Sequence, residues 1–354
     1  MKQGRDLSIW LLGLALLCLP GFGAQAQVGG QHAFEFLTLP GSAKLAGLGG
    51  VNVSSRDADA TMLQGNPALL NEEMDGRASL AYTDYLADIR QSTAAYVLNS
   101  TRLGRLGLGL TYLNYGKFEQ FDAAGNSLGE FSVNEYALGI TKAVTTGHFT
   151  LGGTAKLAVS GIAGNHSVGT VLDAGGLFKH PTTDFTVAVA VKNLGYQLRP
   201  YAGSDREPLP LDVQLGASIK PEHMPMRFSL TAHHLQQFDI VYLDSTQRGK
   251  LGENNEEIKP KKSVGDQIAR HFVVGGELLL SKNFQVRLGY NHLRRRELRL
   301  DTRSGGAGLS FGVTFRLSQF QLDYTRAYYH VSGASNYFTL ARNLNSIFKK
   351  DSGS

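Results

Sequence analysis

Few residues of this chain are arranged to do chemistry. His233 and His234 form its one adjacent histidine pair, and imidazole nitrogens are common ligands of zinc-class metals. Successive side chains on a strand point to opposite faces. On the strand expected there, the two rings cannot share an ion, so neither a metal nor a cofactor is expected. Gly104-Arg105-Leu106-Gly107-Leu108-Gly109 is glycine-rich, but a phosphate cradle needs a helix N-terminus behind it, and a strand follows instead. Ser346 and Lys349 have the serine–lysine spacing of penicillin-binding enzymes without the Lys-Thr-Gly triplet that completes such a site. No catalytic residue is assigned. The strongest candidates for contact are Arg294, Arg295, Arg296, Arg299 and Arg303, whose guanidinium forks suit phosphate and carboxylate oxygens. Either they meet an anionic surface or a partner, or they extend a strand into solvent.

What must position these residues is a sheet. Roughly ten-residue stretches of alternating apolar and polar residues recur from Arg77 to Asn343. In the run from Phe185 to Lys192, Phe185, Val187, Val189 and Val191 lie on one face. Thr186, Ala188, Ala190 and Lys192 lie on the other. Leu106, Leu108, Leu110 and Tyr112 alternate likewise with Gly107, Gly109, Thr111 and Leu113. A soluble sandwich would show the same period, but its core would want volume. Here the face opposite the bulky residues is crowded with Gly, Ser, Thr and charged groups, as in the lumen of a transmembrane β-barrel. Tyr82, Tyr85, Tyr112, Tyr115, Tyr196, Tyr328 and Tyr329 near segment ends read as an interfacial girdle.

Fourteen antiparallel strands are expected, at 77–85, 90–98, 105–118, 131–143, 148–159, 168–178, 184–197, 211–220, 226–234, 270–280, 283–293, 307–316, 320–329 and 336–343. Connections after even-numbered strands are short. Most after odd-numbered strands are longer, notably 119–130, 198–210, 235–269 and 294–306. This matches short periplasmic turns and long external loops. The 235–269 loop carries Glu253, Glu256, Glu257, Lys259, Lys261 and Lys262 and reads as a recognition segment. Lys156, Lys192, Arg287, Arg316, Asp323 and Arg326 are expected to form ion pairs in the lumen, because buried charge needs partners.

The ends bound the rest. Lys2 and Arg5, an apolar stretch, and Ala24-Gln25-Ala26 read as a signal peptide over 1–26 that directs the chain to the bacterial outer membrane. The single cysteine, Cys18, falls in that leader, so disulfides and thiol chemistry are excluded downstream of it. A net charge of +5 is too mild to imply nucleic acid. Residues 27–74 break the strand rhythm and read as a segment folded into the lumen as a plug, or else as a periplasmic tail. The barrel is placed at 75–345 and a short periplasmic tail at 346–354.

The plug segment carries a resemblance. Gln27-Val28-Gly29-Gly30-Gln31-His32-Ala33-Phe34-Glu35-Phe36-Leu37 is followed by Ala46-Gly47-Leu48-Gly49-Gly50-Val51-Asn52-Val53 and then by Asn66-Pro67-Ala68-Leu69-Leu70. Together they resemble the PorV/PorQ group of the type IX secretion apparatus, and the Gln-His-Ala-Phe-Glu-Phe run points to its PorQ branch. Gly49-Gly50 permits positive φ or close backbone approach, and Pro67 holds Asn66 out of the helical region; both suit a compact plug. The resemblance implies a fourteen-stranded barrel similar in fold to FadL-type proteins. It also implies membership of a surface attachment complex with PorU, PorV and PorZ that links cargo to anionic lipopolysaccharide. The sortase-like chemistry there is carried by PorU, and this branch is expected to hold PorZ as a non-enzymatic scaffold. The rivals are a FadL-like transporter of hydrophobic small molecules and an open diffusion pore.

Overall fold

A computed structural model describes residues 32–240, 263–297, 305–330 and 333–345. The leader, the tail and the charged stretch from Glu253 to Lys262 lie outside them. The strands are β1 (Arg77–Asp84), β2 (Arg90–Ser100), β3 (Gly104–Phe121), β4 (Ser127–Thr146), β5 (Phe149–Ile162), β6 (Asn165–Lys179) and β7 (Asp184–Arg199). They continue as β8 (Asp212–Lys220), β9 (Met226–Ala232), β10 (Phe272–Leu278), β11 (Phe284–Asn291), β12 (Leu309–Leu317), β13 (Phe320–His330) and β14 (Gly333–Asn343). All pair antiparallel with their sequence neighbours, and β1 pairs with β14 from Arg77↔Asn343 to Asp84↔Asn336, closing the ring. Among the described residues no helix is long and apolar enough to cross a membrane. The strands do so, because a closed ring leaves no backbone group unpaired in lipid.

Side-chain size is sorted as the sequence predicts. Leu80, Leu138, Leu151 and Leu288 stand on the outside, while Ser79, Thr141, Thr154 and Thr314 are buried inside. Outward aromatics meet across strands, as in the Tyr112–Tyr136 stack with centroids 4.9 Å apart. The tyrosine girdle is smaller than expected. Tyr82, Tyr196 and Tyr328 are exposed on the outside. Tyr85 and Tyr329 turn inward to pack on Tyr337, and Tyr115 donates its hydroxyl proton to Glu135 inside the ring. An odd residue offset along a strand reverses the face, so Tyr82 and Tyr85 cannot both look out, nor can Tyr328 and Tyr329.

The connections after even-numbered strands are short. Among those after odd-numbered strands, the stretch 119–130 is not the expected loop. β3 runs on to Phe121 and β4 starts at Ser127. At 18 and 20 residues these strands far exceed the ~9–11 needed to span. Beyond Asn114 the pairing of β3 with β2 stops, and before Val133 that of β4 with β5 stops. The remainder is a two-stranded ribbon above the rim, held by the Phe118–Phe131 stack at 5.5 Å and the Lys117–Glu130 ion pair at 2.8 Å.

Residues 32–74 fill the lumen as a plug. It consists of one short helix, α1 (Ala43–Gly47), and 3-10 turns at Glu35–Thr38, Ala60–Gln64, Pro67–Leu69 and Glu72–Met74. The sequence supplies a capping oxygen for nearly every turn: Ser42 accepts from Leu45, Asp59 from Thr61, Asn66 from Ala68 and Asn71 from Glu73. Such caps satisfy donors that the short turns cannot pair themselves. Leu45, Val53, Met62, Leu69 and Met74 pack on inward Val97, Leu177 and Ala190, giving the barrel an apolar core inside its ring. Gly152 makes room for it. A Cβ there would lie 2.5 Å from the Pro67 carbonyl carbon.

Gly152→Val should therefore lever the plug from its seat at a cost of about 1–3 kcal/mol. Limited trypsin digestion in detergent checks this. Cleavage at Lys44 and Arg56 is expected in Gly152→Val and not in the native chain or in Gly153→Val, whose change faces lipid.

Candidate functional site

The plug is fixed to the wall by hydroxyls in place of water. Thr325 donates to the Ala43 carbonyl at 2.6 Å, Thr339 accepts from the Ala43 amide at 3.0 Å, and Ser310 donates to the Gly47 carbonyl at 3.2 Å. Gly49 and Gly50 both have positive φ, 91° and 87°, and the Gly49 carbonyl accepts from Asn291 at 3.1 Å. Asn66 caps its own turn and donates to the Val53 carbonyl at 3.0 Å, with Pro67 as the first residue of that turn.

Charges form the second set of ties. Arg287, 1% exposed, bridges Glu277 at 3.1 Å and Asp323 at 2.9 Å, and Arg227 reaches Glu277 at 3.2 Å. Arg316 joins through Gln321 at 3.1 Å, and Gln321 donates to Asp323 at 2.8 Å. Lys44 of the plug pairs with Asp57, and Lys156 with Asp173. Lys192 lines the lumen beside them. Arg326 does not belong to this group. It follows Leu322 and Tyr324 on the outer face, exposed, with its guanidinium 5.7 Å from the Tyr328 ring.

Between the plug and the outer loops lies a cavity of about 970 Å³. Phe36, Leu37, Leu63, Leu209 and Leu211 give it apolar walls, and its charged lining is mixed, with Lys156, Lys192 and Arg294 beside Glu35, Asp212, Asp239 and Glu297. Arg294 was expected on an external loop. It sits instead on a short helix, α3 (His292–Glu297), anchored by its amide donating to Asn291 at 3.0 Å. Its guanidinium lies 4.7 Å from the Tyr329 ring, within the Tyr85–Tyr329–Tyr337 cluster. Arg295 donates to the Gly305 carbonyl at 2.7 Å.

Arg296 pairs at 2.8 Å with Asp266 of a further helix, α2 (Val264–Arg270), which also holds Arg270 at 2.9 Å and His292 at 3.1 Å. Arg299 and Arg303 lie outside the described residues. The arginine run is thus divided: one member faces the cavity, and two tie the outer loops together.

The histidine pair also departs from expectation. β9 ends at Ala232, and His234 takes the left-handed conformation at φ 55°. The strand rule no longer applies, and the Nδ1 atoms of the two rings meet. Asp212 stands beside them, its Oδ1 3.9 Å from His234 Nδ1. Sequence reasoning missed Asp212, Asp173 and Glu277. Each is a lone acid within an alternating strand, and nothing local separates it from a solvated residue.

A closed ring of strands with bulk toward lipid and a plugged lumen defines an outer-membrane β-barrel. No known family profile matches the chain, and no curated protein matches it. Among solved structures it is similar to the toluene transporter TbuX of Ralstonia pickettii, at 11% identity over 89% of this chain and 100% of that one, with a TM-score of 0.49. It is also similar to the monoaromatic hydrocarbon channel CymD, at 11% identity over 87% and 97%, TM-score 0.48. A FadL homologue of Pseudomonas aeruginosa is matched at 12% identity over 86% and 98%, TM-score 0.45.

Arg287→Met should cost about 3–5 kcal/mol, because it leaves buried Asp323 without its cation. Unfolding in detergent measures the loss. Arg287→Met combined with Asp323→Asn should lose less than the two single changes added together, since both remove one shared interaction.

Proposed function

We propose that the barrel binds a small apolar or amphipathic molecule in its lumen and passes it across the outer membrane, without catalysis. The cavity carries this reading. Its volume is that of a ligand site, and such sites are mostly apolar with a few placed polar groups. Leucine and phenylalanine walls suit a hydrocarbon body, while Lys192 and Arg294 among the charged lining groups suit a polar end. The floor of the cavity is the plug, so passage requires the plug to shift. The hydrocarbon transporters and channels to which the fold is similar are in keeping with this reading.

Gly109 offers the test. It lines the cavity, and a Cβ there would meet nothing within 4 Å. Gly109→Trp should fill the space without disturbing the wall and weaken binding of a twelve-carbon carboxylate at least about tenfold by calorimetry in detergent. Equal affinity in the two proteins would remove the cavity as the site.

A second reading is favoured by the β3–β4 ribbon. It stands clear of the rim with Phe118, Phe121 and Leu128 exposed, and isolated two-stranded ribbons gain stability by packing on something else. With the resemblance of the plug to the PorV/PorQ group, it supports a scaffold that holds PorZ at the surface near PorU, PorV and lipopolysaccharide. Capture from detergent-solubilised membranes should then retain PorZ, and Phe118→Asp with Phe121→Asp should release it. Recovery of the barrel alone, together with solute uptake that depends on it, would leave the transport reading in place.

A further inference from the structure

The side chains of Asp212, His233 and His234 each bring one ligand atom to within 4.8 Å of the others. We propose that they bind a divalent transition-metal ion of the zinc class at the outer end of the lumen cavity.

The backbone sets the three groups up. His233 extends the line of β9 by one residue: its amide donates to the His271 carbonyl at 2.9 Å, and its own carbonyl meets His271 Nδ1 at 2.7 Å. His234 then turns into the left-handed region, which non-glycine residues adopt only where something holds them. What holds it is Asp212, whose Oδ1 accepts the His234 amide at 2.7 Å. The turn folds the second imidazole back on the first. Two nitrogens and one carboxylate oxygen thereby converge from β8 and from the end of β9.

The two ring nitrogens that face each other are the ones an ion would take. His233 is 1% exposed, and its Nδ1 faces only the Nδ1 of another imidazole. Buried polar atoms are normally satisfied. An ion with bonds of about 2.0–2.2 Å to each ligand would hold the ligand atoms roughly 3.3 Å apart, so the two nitrogens must part slightly and the carboxylate must close by a fraction of an ångström from its present 3.9 Å. Two imidazoles and one carboxylate suit zinc, copper or nickel rather than calcium or magnesium, which take oxygen ligands. The supports expected around such a site are present, since Gln214 donates to the other carboxylate oxygen of Asp212 at 2.5 Å and His271 fixes the His233 backbone. All three ligands line the cavity, so a fourth position faces it and is left for water or for a donor group of a bound molecule.

The test uses the full mature chain, purified in detergent without a histidine tag and stripped with a chelator. Co²⁺ titrated into it should give one equivalent of a visible ligand-field spectrum, abolished by one equivalent of Zn²⁺. His234→Ala and Asp212→Asn should each weaken Zn²⁺ binding at least about tenfold, while keeping the heat-dependent gel shift of a folded barrel. Absence of the Co²⁺ spectrum in the native chain would overturn the site, as would equal Zn²⁺ affinity in folded His234→Ala. If His234→Ala fails to fold, Asp212→Asn decides by the same comparison.

Discussion

Everything in this molecule follows from the need to pair every backbone amide and carbonyl that faces lipid. A ring of antiparallel strands does so only when closed, and the β1–β14 pairing from Arg77↔Asn343 to Asp84↔Asn336 is what closes it. Closure then dictates side-chain placement. Each strand residue has either lipid or lumen beside it, so Leu80 and Leu151 go out and Ser79 and Thr154 go in. A lumen lined by hydroxyls and small residues is a poor core by itself, because it offers little apolar area to bury. The plug supplies the missing volume.

The plug creates a second pairing problem, since its short turns have more unpaired backbone groups than paired ones. Two devices solve it. Ser42, Asp59, Asn66 and Asn71 cap their own turns, and the wall lends Ser310, Thr325 and Thr339 to the plug backbone. The ionic cluster around Arg287 acts differently. A buried ion pair adds little net stability over apolar packing of the same volume, yet losing one member is costly. Its geometry ties Glu277 on β10, Arg287 on β11 and Asp323 on β13 to one another.

This also explains how much of the fold was legible in the sequence. The bilayer imposes a period of two on every strand, so the facing of the run from Phe185 to Lys192 could be read directly, and the fourteen strands fall within a few residues of their expected places. What the period does not encode is where a strand stops. β9 ends two residues before the expected position, which puts His234 in a turn and brings it onto His233. β11 gives way to a helix at His292, which carries Arg294 to the cavity rather than to the surface. β3 and β4 run past the rim because the alternation continues there with no lipid to enforce it. Within a strand the period is decisive even against composition: Tyr85 and Tyr329 look like girdle residues but sit on the inward face, three residues from Tyr82 and one from Tyr328.

The outer rim is uneven, and the unevenness places the cavity. β9 and β10 have seven residues each, about 23 Å along the strand and less once tilt is counted, against an apolar band of about 25 Å. The remaining height is covered by residues 233–240 and by α2, with Phe238, Val264 and Ile268 exposed. Their polar groups are satisfied without a ladder. Leu235 donates to the Val213 carbonyl at 3.0 Å, the Gln236 side chain to the Leu211 carbonyl at 2.6 Å, and His271 Nε2 meets the Phe238 carbonyl at 3.1 Å. Gln236, Gln237 and Ile240 of this same segment line the cavity. Along these described residues the wall is held by single backbone and side-chain hydrogen bonds rather than by a strand ladder. Opening the ladder costs many paired backbone groups at once. Along residues 233–240 the wall rests on a few hydrogen bonds of about 0.5–1.5 kcal/mol each.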